Sequence, residues 1–354
     1  MEYHISHPLK ANSESQEINL PENRSLVMNK LYPLKFTPII KNKIWGGQKL
    51  ESVLDKPTDG SKTAGESWEI SGVEGNISIV SEGALKGKSL VELIDEYKGD
   101  LIGESVFERF GNKFPLLIKF IDANDDLSIQ VHPDDELAGK RHNSFGKTEM
   151  WYVVSADEGA TLISGFNKET SKNEYLSYFD AGKLIDLLNR EEVNNDDVFF
   201  LPAGRVHTIG KGLLIAEIQQ TSDITYRIYD FDRVDENGVG RELHIEEAVD
   251  AIDYNFYDEY KTMYDKNASD TEIGNCQYFV TRRLTTKEKL TRDYGNFDSF
   301  VILMCLQGNG LLRFEGGEIE YQLGDSILVP NVLSGLDIQP KTESKLLEVR
   351  IPEN

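Results

Sequence analysis

From Leu31 onward the chain is built from short runs in which apolar and polar residues alternate, each broken off by Gly, Pro, Asn or Asp. Asn76-Ile-Ser-Ile-Val80, Leu127-Ser-Ile-Gln-Val-His132, Glu149-Met-Trp-Tyr-Val-Val154, Asp197-Val-Phe-Phe-Leu201, Leu213-Leu-Ile-Ala-Glu-Ile218 and Gly310-Leu-Leu-Arg-Phe314 are examples. A period of two over so few residues suits a strand and gives a helix no continuous apolar face. Many such runs between Gly-rich turns predict a mainly β sandwich or barrel. Helical spacing is confined to Ser89–Tyr97 continuing through Leu101–Phe110, to Asn173–Leu188, and to a short segment from His244 to Ala251. These read as insertions and connections around a β scaffold.

The scaffold is stated twice. Asn194-Asn-Asp-Asp-Val-Phe-Phe-Leu-Pro-Ala-Gly204 has a later counterpart in Leu323-Gly-Asp-Ser-Ile-Leu-Val-Pro330, which points to duplication of one barrel rather than to a solenoid. The polar stretch 254–274 reads as a linker between an N-terminal unit, 31–253, and a C-terminal one, 275–354. A length of 354 residues accommodates two such domains. Residues 1–30 lack any period and are expected to form a poorly ordered leader, with a tail packed on the surface as the alternative; Met28 is a candidate natural start.

Composition excludes several classes of function. A net charge of −23 argues against nucleic acid as a partner, because phosphate backbones call for a basic footprint. No uncharged apolar stretch approaches the roughly 20 residues of a membrane span. Cys276 and Cys305 are too few for a disulfide framework, and the start carries no apolar signal core, so a reduced, cytoplasmic protein is expected.

The strongest local signal is Ser128-Ile-Gln-Val-His132-Pro133. On an extended strand Ser128, Gln130 and His132 face one way, and Leu127, Ile129 and Val131 the other. Lys147-Thr-Glu149-Met-Trp151 repeats the device, with Lys147, Glu149 and Trp151 on one face. In Leu201-Pro-Ala-Gly-Arg-Val-His207 a hydrophobic strand ends in Pro and Gly, and His207 follows. Two imidazoles, one carboxylate and one amide oxygen make a nitrogen/oxygen shell suited to one zinc or a similar divalent ion. His4, His7, His142 and His244 have no such company and read as ordinary core or surface residues.

Taken in order, Trp45-Gly-Gly47, Gly65-Glu-Ser-Trp-Glu-Ile-Ser71, Ser128-Ile-Gln-Val-His-Pro133, Lys147-Thr-Glu-Met150, Pro202-Ala-Gly-Arg-Val-His207 and Ser222-Asp-Ile-Thr-Tyr-Arg227 resemble the type I mannose-6-phosphate isomerases, in the shorter form with two cupin-type (jelly-roll) barrels. The resemblance covers roughly Leu31 to the C-terminus. It implies zinc-dependent interconversion of mannose 6-phosphate and fructose 6-phosphate, with the metal held by Gln130, His132, Glu149 and His207. It also implies that Ser128, Lys147 and Arg227 lie in the substrate pocket, with Glu217 and Asp223 at further active-site positions. The second barrel departs from the pattern. No His follows His244, so a shell of the first kind cannot form there, and a structural or dimerising role is expected.

Such an isomerisation moves a proton between carbons 1 and 2 of an open-chain sugar through an enediol(ate), and needs a base within reach of the C–H bond. Glu217 is the first candidate. If Leu213–Arg227 stayed extended, Glu217, Asp223 and Arg227 would share one face, although a bulge near Gln220 would break the register; a hydrogen-bonded partner of a neighbouring Lys or Arg is the other reading of Glu217. Asp223 is expected to orient Arg227 by a local ion pair, Arg227 to stabilise the enediolate, and Lys147 to bind a hydroxyl or carry a proton. A chain of net charge −23 repels a sugar phosphate at long range, so local donors must capture it: Ser128, with Lys119 or Arg205 as further candidates. Trp45 and Trp68 read as core. The small-molecule partner is thus a sugar phosphate, and the protein a monomer or homodimer. A non-catalytic metal-containing cupin that binds a sugar phosphate is the alternative. An iron-dependent oxygenase uses the same ligand types but fits the amide of Gln130 less well.

Overall fold

The structure, a computed structural model, describes residues 31–234 and 237–353; the expected leader lies outside the described residues. The architecture is mainly β, in two pairs of antiparallel sheets. The first pair joins a six-stranded sheet, in the order Ile39–Gly47, Ala64–Ser71, Leu116–Ala123, Leu213–Gln220, Glu149–Ala156, Val198–Leu201, to a five-stranded sheet, in the order Tyr226–Tyr229, Ile129–Val131, His207–Ile209, Thr161–Phe166, Leu188–Glu192. The second pair has six and four strands and is drawn from residues 270–350, apart from the short N-terminal strand Leu34–Lys35, which pairs with Ser326–Val329.

The six-stranded sheet of the first pair is covered on both sides, which is why its central strands show little polar relief. Every residue of Leu116–Ala123 and of Leu213–Gln220 is buried. Alternate residues nonetheless go to different places. Ile118, Phe120, Met150, Tyr152, Leu214, Ala216 and Ile218 join a core that continues into the second pair of sheets. Ile121, Ala123, Trp151, Val153, Leu213 and Ile215 face inward and meet Leu162 and Ile209 of the five-stranded sheet. Further along the same inward faces come Lys119, Glu149, Glu217 and Gln219. The interior of this sandwich is therefore apolar at one end and polar at the other, and the polar end holds the site.

Helices cover the outer face of the five-stranded sheet, where Tyr175, Leu184, Leu187, Ala248 and Val249 pack on Ile129, Val131, Ile163, Phe166 and Ile228. The expected helix at Ser89–Tyr97 forms over Leu90–Tyr97, with Ser89 and Glu92 closing a capping box. Leu101–Phe110 divides at Gly103 into Gly99–Ile102 and Glu104–Phe110; Gly103 has φ +97° and a backbone that approaches Asp298 too closely for any Cβ. Asn173–Leu188 becomes a helix, Lys172–Asp180, and a 3₁₀ turn, Leu184–Leu187. The helix Asp135–His142 goes beyond the periodicity, because only Ala138 of it is buried and no apolar face betrays it; its signals are the Asp134 cap, acids in the first turn and bases in the last.

The polar stretch 254–274 is more than a spacer. Tyr260 is buried with its hydroxyl on the Phe166 carbonyl (2.8 Å), Tyr264 donates to the Asp196 carbonyl (2.6 Å), and Asp270–Asn275 pairs with Val280–Thr286. Aromatic anchors spaced along a polar segment fasten it to the first sandwich. In the C-terminal sheets Glu348 is buried against Arg292 and Tyr294 (Tyr294 Oη to Oε2 2.7 Å), and the one metal-competent cluster among the described residues lies in the first sandwich. Cys276 and Cys305 are free thiols, and no described helix is long and apolar enough to cross a membrane.

Candidate active site and metal centre

The polar end of the first sandwich brings together side chains from both sheets. His207 stands directly across from Gln130 in the five-stranded sheet, and Arg227 faces Gln130 from the other side. His132 follows one residue beyond the strand Ile129–Val131, while Glu149 begins its strand in the opposite sheet. Ser128 and Gln130 face the interior as their spacing predicts, with Ile129 and Val131 outside; Leu127 departs from the alternation and turns inward, because it precedes the strand proper.

His132, Glu149 and His207 are fully buried, and each offers an atom within 4.8 Å of the others. Glu149 Oε1 lies 3.2 Å from His207 Nε2, and Oε2 lies 3.6 Å from His132 Nε2. Gln130 reaches the same point, its amide 3.3 Å from His207 Nε2. The other imidazole nitrogens are engaged: His132 Nδ1 with the Ile224 carbonyl at 2.9 Å, and His207 Nδ1 with the Arg205 carbonyl at 2.8 Å. A carbonyl accepts only from N–H, so both rings carry the proton on Nδ1 and turn an Nε2 lone pair toward Glu149.

The donor set fits a divalent cation. His132 Nε2 and Glu149 Oε1 are buried without a hydrogen bond, an arrangement that costs free energy unless something else satisfies them. Burial holds the pKa of His132 well below its ordinary value and takes His207 down to about 3, so both are the neutral ligands a metal requires. Burial pushes Glu149 up to about 7 despite Lys147, whose Nζ is 3.2 Å from Oε2. A cation at that point would reverse the penalty.

Beside this cluster opens a cavity of about 450 Å³, lined among others by Ser128, Gln130, Lys147, Glu217, Asp223 and Arg227. Lys119 lines it too: its Nζ is 3.0 Å from Glu217 Oε1 and lies over the Trp68 ring. Burial opposes charge on Lys119, but Glu217 and Glu66 hold its pKa above the ordinary value. Burial likewise opposes charge on Glu217, yet Lys119 and Lys147 keep its pKa low, and Trp151 Nε1 donates to Oε2 at 2.8 Å. Glu66 shows the same balance, held at about 2 against burial by Lys119 and Lys43.

Three expectations are corrected. The chain does not stay extended from Leu213 to Arg227: the strand ends at Gln220, and residues 221–225 cross to the other sheet, where Tyr226–Tyr229 begins. Asp223 and Arg227 still face the cavity, but they make no ion pair. The crossing separates them; Asp223 is exposed, and Arg227 Nη1 donates to the Glu242 carbonyl at 2.8 Å. Arg205 does not reach the cavity at all. Its guanidinium lies over the rings of Tyr257 and Tyr260, 4.5 and 4.7 Å from their centroids. Trp45 and Trp68 are buried as core residues and also line the cavity. Lys41, Lys43, Glu66, Asn76 and Arg241 are cavity residues that sequence reasoning missed; the spacing of Lys41 and Lys43 on one strand face was the available signal.

The family model described as phosphomannose isomerase type I, catalytic domain, matches residues 33–159. Mannose-6-phosphate isomerase ManA of Bacillus subtilis is 36% identical over 319 residues, covering 88% of this chain and 97% of that protein. Mannose-6-phosphate isomerase of Streptococcus mutans is 45% identical over 226 residues, 62% of this chain and 67% of its own. The crystal structure of the mannose 6-phosphate isomerase from Bacillus subtilis superposes with a TM-score of 0.80 at 34% identity, covering 90% of this chain and 99% of that one.

Proposed function

As the chain belongs to the type I mannose-6-phosphate isomerase family and is an isomerase, we propose that it interconverts D-mannose 6-phosphate and D-fructose 6-phosphate with zinc as its metal, moving a proton between carbons 1 and 2 through an enediol(ate). The observation that carries the reading is the cluster of His132, Glu149 and His207, in which His132 Nε2 and Glu149 Oε1 lack hydrogen-bond partners, set beside a cavity rich in cations.

Gln130, His132, Glu149 and His207 would hold the ion, which supplies electrophilic stabilisation to negative charge developing on a substrate oxygen. Around it the chain's own side chains take distinct parts. Lys147 is placed beside Glu149 and lines the cavity, where its ammonium can hydrogen-bond a substrate oxygen or pass it a proton. Arg227 opposes charge on the enediolate from the five-stranded sheet. Glu217 faces the cavity ionised, as a base must be before it accepts a proton, but Lys119 and Trp151 hold its oxygens. Hydrogen bonds to the charged form weaken a base, so Glu217 serves better to keep Lys119 charged and placed. Asp223, exposed and without an ion-pair partner among the described residues, is left as the carboxylate free to take the proton. Ser128 presents its hydroxyl to the same space.

The test is turnover of mannose 6-phosphate by the purified protein before chelation, after it, and with zinc restored. Loss on chelation and recovery with zinc are expected. Full turnover in metal-free protein would overturn the metal-dependent reading. Binding of the sugar phosphate by zinc-loaded protein without turnover would overturn the catalytic one.

A further inference from the structure

Of the six cationic side chains that line the cavity, four have a carboxylate of their own. Lys119 pairs with Glu217, Lys147 with Glu149, Lys43 with Glu66 at 3.3 Å, and Arg241 with Asp230 through Nε at 2.7 Å. Two do not. Arg227 spends one nitrogen on a backbone carbonyl, and its Nε is buried without a partner. Among the described residues Lys41 touches neutral groups, the side-chain oxygen of Asn76 and the face of Trp68, whose centroid is 4.9 Å from Nζ. Among the described residues the cavity thus carries two positive charges without a paired carboxylate, inside a chain of net charge −23.

Their positions matter as much as their number. Lys41 lies on the first strand of the six-stranded sheet, opposite Glu66, and Arg227 on the first strand of the five-stranded one, beside Gln130. Four strand steps separate the strand of Lys41 from that of Glu149, on the order of 19 Å along the curved sheet, a span that inward-reaching side chains shorten. A hexose 6-phosphate with carbons 1 and 2 at the metal centre must send its phosphate away from that centre, since carbon 6 is the far end of the open chain.

We propose that Lys41, held by Asn76 and Trp68, is the phosphate anchor of this cavity and selects phosphorylated over free hexoses, while Arg227, beside the metal centre, keeps its part toward the enediolate. The inference rests on the isomerase reading above. A positioned ammonium with no carboxylate to neutralise it gains more from a phosphate than the paired lysines do, because the latter would have to share or surrender a partner.

The test compares wild type, Lys41→Met and Lys41→Arg, all loaded with zinc, by steady-state kinetics with mannose 6-phosphate and by calorimetric titration with inorganic phosphate. Removing the charge while keeping most of the side chain's length should raise KM about tenfold, the scale of one charge-assisted hydrogen bond. The loss should fall on KM rather than kcat, because the anchor grips ground and transition states alike. Phosphate affinity should fall by a similar factor, and Lys41→Arg should restore most of both, which a merely structural role would not produce. Unchanged KM and unchanged phosphate affinity in Lys41→Met would overturn the anchor. If wild type shows no turnover, the isomerase reading fails, and the phosphate titration still decides the anchor by itself.

Discussion

Replacing Lys119 by methionine would remove the positive end of a buried ion pair while keeping most of the side chain's shape. Lys119 and Glu217 are each about 5% exposed or less and stand 3.0 Å apart, and Lys119 is also the largest charge lowering Glu66. The Lys119→Met variant would leave two buried carboxylates that had relied on one ammonium. Breaking a buried pair from one side typically costs about 3–5 kcal/mol, much of it the desolvation of the charge left behind, and Glu66 retains Lys43 as a partial counterweight. A loss of about 3–5 kcal/mol at neutral pH is therefore expected. The pH dependence follows from the sign of the shifts. In the wild type both carboxyls have lowered folded pKa values, so their contribution is present above the unfolded value of about 4.5 and fades as pH falls through the lower folded values. In the variant burial acts with less opposition and raises them, so the penalty is greatest at pH 7 and shrinks toward about pH 4–5, where the acids protonate in both states. Urea unfolding of chelator-treated protein, followed by tryptophan fluorescence at pH 7 and pH 5, reads this directly. The double variant with Glu217→Gln should recover part of the loss. A cost below about 1 kcal/mol at pH 7, or one that does not change with pH, would refute the reasoning.

Three further outcomes are expected. Glu149→Gln keeps the shape of the centre but removes its one anionic ligand, and should weaken zinc binding by roughly a hundredfold or more in a competition with a chromophoric chelator, against an upper figure of about a hundredfold for losing an outer-shell partner; retention equal to wild type would mean the carboxylate is not a ligand. Arg205→Met, which strips the guanidinium from Tyr257 and Tyr260, should lower the melting temperature, by about 1–2 kcal/mol in free energy, and leave KM for mannose 6-phosphate alone, whereas a raised KM would return Arg205 to the cavity. Gly46→Ala places a Cβ 2.4 Å from the Thr63 carbonyl oxygen and 2.5 Å from the Gly65 nitrogen, so the pairing of Ile39–Gly47 with Ala64–Ser71 must shift, at a cost of about 1–3 kcal/mol visible as a lower melting temperature; an unchanged melting temperature would show that this strand pair gives way freely.

What the sequence determined by itself is whatever a period of two can encode. The strands, their two faces, and the inward aim of Ser128, Gln130, Lys147 and Glu149 follow from alternation within one run, because successive side chains on a strand must point opposite ways. Gln130, His132 and Glu149 on matched strand faces, with His207 after a Pro-Gly strand end, were legible as a donor set, and the family resemblance implied the same four ligands. The tertiary structure decided everything that depends on which strands become neighbours. Lys119 meets Glu217 across a strand pair whose members are far apart in the chain, a partnership no local pattern specifies. The crossing at residues 221–225 carried Arg227 into the second sheet and parted it from Asp223. The same geometry placed Lys41 on a cavity wall with no acid paired to it, while Arg205, equally cationic in the sequence, stacked on two tyrosines instead. Charge can be counted along a chain, but whether a charge is matched depends on strand order and register, which are set by the packing of distant segments.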